Sequence, residues 1–116
     1  MTTTAISLTP VCAVDAIPLE GGVAALVDGS AVAVFRSFDD SVFALSNVDP
    51  FSGASVLSRG IMGSRGDVPV VSSPMYKQAF DLRTGACVDD GAVRVTSYDV
   101  AVVDGVVHVG SVREVA

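Results

Sequence analysis

The sequence is poor in the residues that hold soft metals. It has two cysteines and one histidine among 116 residues. A structural zinc site needs four such ligands, and a Rieske [2Fe–2S] centre takes two Cys and two His. Neither set can be completed within this chain. Two cysteines allow at most one bridge, so a disulfide framework is excluded as well. Tryptophan is absent, aromatics make up 6% of the chain and Val is abundant, so a mainly aliphatic core is expected. Basic residues are also scarce: seven Lys and Arg face thirteen Asp and Glu, for a net charge of −6. That balance argues against sequence-independent binding of nucleic acid and against adsorption to an anionic membrane. No apolar run approaches the ~20 residues of a membrane helix, and residues 1–5 (Met-Thr-Thr-Thr-Ala) lack the basic and apolar regions of a signal peptide. The expected setting is therefore the cytoplasm, with Cys12 and Cys87 as reduced, small buried hydrophobes.

Half the residues are hydrophobic and 17% are charged, which is a globular composition. The length fits a single domain, taken as residues 1–116. The patterning predicts β structure throughout. Val-rich runs at 23–27, 32–38 and 42–45 are separated by Asp28-Gly29-Ser30 and Asp39-Asp40-Ser41. Further strands are predicted at 68–72, 79–82, 86–88 and 93–98. The clearest hairpin joins 100–103 to 106–109 through Asp104-Gly105, a two-residue turn that favours positive φ at both positions. No helical periodicity persists over ten residues, although 54–58 has room for one helical turn.

Two stretches break the regularity. Residues 47–66 carry Pro50, Gly53, Gly60, Gly63 and Gly66, and residues 72–78 read Ser-Ser-Pro-Met-Tyr-Lys-Gln. Long loops inside compact domains are usually functional. Residues 59–83 hold four cations (Arg59, Arg65, Lys77, Arg83) against two acids, for +2; the rest holds three cations against eleven acids, for −8. Charge alone leaves two readings open: solvated loop charge, or a basic docking surface on an acidic body.

The two loops resemble those of Rieske-type domains, where Cys-x-His and Cys-x-x-His loops emerge from a small β domain. Asp49-Pro50-Phe51 stands where Cys-Pro-His is expected, and Ser73-Pro74-Met75-Tyr76 where Cys-Pro-x-His is expected. Asp49, Phe51, Ser73 and Tyr76 thus occupy the former ligand positions. The blocks Asp-Pro-Phe-Ser-Gly at 49–53 and Ser-Pro-Met-Tyr-Lys-Gln at 73–78, with Phe80-Asp81-Leu82-Arg83-Thr84-Gly85 beyond, resemble the small subunit of assimilatory NADH-dependent nitrite reductase. That resemblance implies a Rieske-like fold of three small antiparallel sheets, two protruding loops and no cluster. It implies a non-catalytic subunit, inactive alone, that docks on a large subunit carrying FAD, a [4Fe–4S] cluster and sirohaem. The large subunit uses NADH to reduce nitrite to ammonium.

The residue chemistry agrees with a lost cluster. Phe51 cannot ligate and Ser73 is a poor ligand. Without a cluster, hydrogen bonds and packing must join the loop tips: Phe51 is expected to stack on Tyr76, and Asp49 to accept backbone N–H groups or the Tyr76 hydroxyl. The expected partner interface is Phe51, Arg59, Met75, Tyr76 and Lys77, residue types enriched at interfaces. Two other classes remain: a stand-alone binding or regulatory module for a small anion or another reductase, and an enzyme centred on Asp49, Tyr76 and Lys77. The remaining features carry less. Asp39-Asp40 and Asp89-Asp90 are expected to be turn residues bonding their own backbone. His108 is expected on the solvent side of a strand. The glycines of 60–66 lack the Lys-Ser/Thr ending and following helix of a phosphate loop.

Overall fold

The computed structural model describes residues 8–75 and 77–112. The described residues form nine strands: β1 (Thr9–Ala13), β2 (Gly21–Val27), β3 (Ser30–Arg36), β4 (Val42–Ser46), β5 (Ile61–Arg65), β6 (Val68–Ser72), β7 (Ala79–Asp81), β8 (Ser97–Val103) and β9 (Val106–Val112). Single 3-10 turns sit at Val14–Ala16 and Leu57–Arg59. All pairings are antiparallel. One sheet has the order β1-β9-β8-β4-β3-β2 and the other β5-β6-β7.

The two Asp-Gly turns set the hairpins. Asp28 and Gly29 have φ of 50° and 81°, and Asp104 and Gly105 have 52° and 77°. Positive φ at both central residues matches the right-handed twist of the flanking strands. The registers close at Val27↔Ser30 and Val103↔Val106.

β3 is buried on both faces, and its period of two divides the interior. Ala33 and Phe35 enter one core with Leu45, Leu57, Val71, Phe80 and Leu82. Val32 and Val34 enter the other with Ile17, Ala44, Val107 and Val109. The β3–β4 ribbon is thus a wall between two cores. The first core joins the two sheets and lies beneath the irregular loops.

The all-β expectation holds, with corrections in detail. Three separate sheets were expected, and two are found. The pairs Ala44↔Tyr98 and Leu45↔Ser97 fuse β4 to β8 and turn two small sheets into one of six strands. Residues 47–66 are not irregular throughout: Ile61–Arg65 forms β5, paired from Ile61↔Ser72 to Arg65↔Val68. Its Gly63 and Ser64 hide the strand signal. β1 carries Pro10, which lacks an N–H and suits an edge strand. The expected strand at 93–98 begins only at Ser97. After β7, the described residues up to β8 make just the isolated bridges Phe80↔Cys87 and Ala86↔Arg94, so the expected strand at 86–88 is reduced to single bridges. The expected helical turn falls at Leu57–Arg59.

Candidate functional site: two loop tips joined by a buried hydrogen bond

The first loop follows β4. Asn47, 4% exposed, organises it: Oδ1 accepts the Ser58 N–H at 2.7 Å, and Nδ2 donates to Ser55 Oγ at 3.2 Å. The tip closes through Asp49 N–H to Ala54 O (2.8 Å) and Gly53 N–H to Asp49 O (2.7 Å). Gly53 takes a φ of 76°, which its missing Cβ permits.

The second loop joins β6 to β7. Ser73 N–H donates to Gln78 O at 2.9 Å, and Lys77 N–H to Ser73 O at 3.0 Å. Lys77 adopts left-handed backbone at φ 65°, uncommon outside glycine.

The two loops meet at Asp49 and Ser73, which are 0% and 1% exposed. Ser73 Oγ donates to Asp49 Oδ2 at 2.5 Å. Asp49 Oδ1 accepts the Phe51 N–H at 2.8 Å, and Ser73 Oγ accepts the Met75 N–H at 3.2 Å. Both carboxyl oxygens and the hydroxyl are thereby satisfied. Burial demands this, because an unpaired polar group there costs roughly 1–3 kcal/mol. Two of the positions that the loop resemblance assigns to former ligands are bonded to each other.

Phe51 turns the other way. Its ring lies 6.3 Å from the Phe80 ring, tilted by 44°, and packs on the first core. Among the described residues the ring partner of Phe51 is Phe80, a tilted contact that burial in the core favours; the expected stacking on Tyr76 lies outside those residues. Tyr76 lies outside the described residues, and with it the expected bond from its hydroxyl to Asp49.

Of the expected interface residues, Met75 is 48% exposed, Arg59 and Lys77 are exposed, and Phe51 is half-buried. The basic character of 59–83 contracts. Arg65 pairs with Asp89 and Arg83 with Asp81, each at 3.2 Å. Among the described residues no ion pair engages Arg59 or Lys77.

The donors do not fit a [2Fe–2S] cluster. Phe51 has no lone pair, Asp49 and Ser73 spend their oxygens on each other and on backbone N–H groups, and no thiol lies in either loop. Cys12 is in β1, and buried Cys87 follows β7; both are free thiols. His108 lies in β9 between the buried Val107 and Val109, half-buried, with Nδ1 3.1 Å from Val106 O.

The paired acids divide. Asp39 and Asp90 cap their own turns, accepting from Ser41 N–H and Ala92 N–H. Asp89 does not: Oδ2 accepts the Ala79 N–H at 2.9 Å, and Oδ1 accepts from Arg65. It fastens the start of β7 and the end of β5. Its carboxyl is held below the usual carboxylate range, chiefly by the Ala79 N–H and then by Arg65. Neither Asn47 nor Asp89 was picked out from sequence as an organising residue. The irregular stretch 47–66 begins with the first; nothing local marked the second.

Residues 7–110 match the family model of the Rieske-like [2Fe-2S] domain. The nitrite reductase (NADH) small subunit of Salmonella typhimurium is 46% identical over 99 residues, covering 84% of this chain and 92% of that one. The nitrite reductase [NAD(P)H] large subunit of Klebsiella oxytoca contains a segment 45% identical over 101 residues, or 87% of this chain; the chain spans only 10% of that protein's length. A solved structure assigned as an NADH-dependent nitrite reductase small subunit from Mycobacterium tuberculosis superposes with a TM-score of 0.88 at 48% identity, over 96% of this chain and 97% of that one. With its two cores, its paired loops and these likenesses, the chain belongs to the Rieske-like domain family, in the group formed by the NADH-dependent nitrite reductase small subunits.

Proposed function

We propose that this chain serves, as a single domain, as the small subunit of an NADH-dependent nitrite reductase and carries no cluster of its own. The observation that carries the reading is the Asp49–Ser73 bond, which takes the place of metal between the loops. Its donor set gives the chain no redox centre, so electron transfer from NADH and reduction of nitrite to ammonium fall to the large subunit. FAD, a [4Fe–4S] cluster and sirohaem are the cofactors expected there. The occurrence of a related domain inside the Klebsiella large subunit supports a working position beside that protein. The setting is the cytoplasm.

Docking uses the loop tips. Phe51, Met75 and Tyr76 supply apolar contact, and Arg59 and Lys77 supply charge. Aromatic, Met and Arg side chains dominate such patches. The test is reconstitution of purified large subunit with and without this chain. A stable 1:1 complex that falls apart with Met75→Asp or Lys77→Glu supports the reading. A large subunit that never binds the chain overturns it.

A further inference from the structure

A second surface feature lies away from the loop tips. A cleft of about 460 Å³ opens between the β3–β4 turn and the β5–β6 hairpin. Its apolar part is made by Phe43 and Met62, both half-buried, and by Phe38 in the turn. Phe38 is 78% exposed, the most exposed of the large hydrophobic side chains described. Three acids line the same cleft, Glu20, Asp39 and Asp67, and no Lys, Arg or His does.

The nearby cations are engaged elsewhere. Arg36 bonds Asp40 at 2.8 Å and the Ile17 carbonyl at 3.0 Å, and Arg65 bonds Asp89. Asp39 is fixed in place, its Oδ1 accepting the Ser37 hydroxyl at 2.5 Å and the Ser41 N–H at 3.1 Å. Those bonds, the Ser37 hydroxyl first, hold its carboxyl below the usual range, so it stays charged at neutral pH. The acids do not converge as a metal-binding group among the described residues. The volume and the aromatic floor instead suit a long side chain with an apolar stem and a cationic head. Lys and Arg alone have that form, and Arg also stacks on aromatic faces.

We propose that this cleft receives a Lys- or Arg-bearing segment of the large subunit, giving the chain a second contact of opposite sign to the loop tips. The inference rests on the small-subunit reading for the partner's identity. The cleft's preference for cations stands on its own residues.

Two measurements separate these. In the first, acetyl-hexaarginine amide is titrated into the isotope-labelled full chain and amide shifts are followed by NMR. Shifts concentrated at residues 37–43 and 62–67, and abolished in Glu20→Gln/Asp67→Asn, support the cleft. Shifts spread equally over Asp89, Asp90, Asp99 and Asp104 overturn it. In the second, large-subunit affinity is measured for the wild type, Glu20→Gln/Asp67→Asn and Phe38→Ala. The expected result is roughly a tenfold loss for the double variant, with a weaker salt dependence, and a smaller loss for Phe38→Ala. Unchanged affinity in both variants overturns the inference while leaving the small-subunit reading intact. Failure of the wild type to bind overturns that reading and the partner named here.

Discussion

Asp49 and Ser73, 24 residues apart, share a 2.5 Å hydrogen bond with both side chains buried. The resemblance of the two loops assigns each to a position where a Rieske-type domain places a cysteine. A short hydroxyl–carboxyl bond of this kind is among the stronger ones available to a protein. It joins the loop tips without metal, and the backbone N–H groups of Phe51 and Met75 complete it.

Removing either partner strands the other. Asp49→Ala and Ser73→Ala should each lower unfolding stability by about 1–3 kcal/mol, measured by urea denaturation. Asp49→Asn should lose less, because its amide keeps an acceptor for the Phe51 N–H and offers a donor to the Ser73 oxygen. Equal losses in Asn and Ala would mean that the pairing is incidental.

Phe51 ties the first loop to the core through Phe80. A double-mutant cycle with Phe51→Leu and Phe80→Leu should return a coupling of about 0.5–1.5 kcal/mol. A coupling near zero would place the ring pair outside the stabilising contacts.

Acid should weaken the clamp between β5 and β7. Hydrogen bonds from Ala79 and Arg65 depress Asp89. At Asp81 desolvation pushes upward, but the Arg83 hydrogen bonds and charge and the Thr84 N–H outweigh it. A carboxylate depressed in the folded state stabilises the fold above its unfolded pKa of roughly 3.9. That contribution disappears as pH falls through the lower folded value. Stability should therefore hold from neutral pH to about 5 and drop below about 4. Asp89→Asn should flatten that drop in acid denaturation followed by circular dichroism.

Gly85 follows β7 with a φ of 84°, and a Cβ there would sit 2.1 Å from the Val95 carbonyl oxygen. Gly85→Ala should cost roughly 2 kcal/mol or more, through backbone strain and displacement of residues 93–95. Thermal unfolding checks this against Gly91→Ala, where nothing lies within 4 Å and the backbone is unstrained.

How much of this was legible in the sequence depended on how local the cause was. The Asp28-Gly29 and Asp104-Gly105 turns announce their hairpins, because positive φ is a property of the residues themselves. The alternation of Val32, Ala33, Val34 and Phe35 follows from strand geometry. The prolines at 50 and 74 mark the two loops that meet at Asp49 and Ser73. What stayed hidden is set by distant partners. β5 exists because Ile61–Arg65 finds β6, not because Gly63 and Ser64 favour a strand. Asp89 serves residues ten and twenty-four positions away. Phe51 faces Phe80 because the core lies beneath it. Docking partners leave still less local trace, beyond an exposed Phe38 or Met75.

The most direct measurement is iron and acid-labile sulfide content, with a visible absorption spectrum, on the full chain purified without oxygen from iron-replete cells. The account predicts a colourless protein with neither iron nor sulfide. Two irons and two sulfides per chain, with the broad visible bands of a [2Fe–2S] cluster, would contradict it.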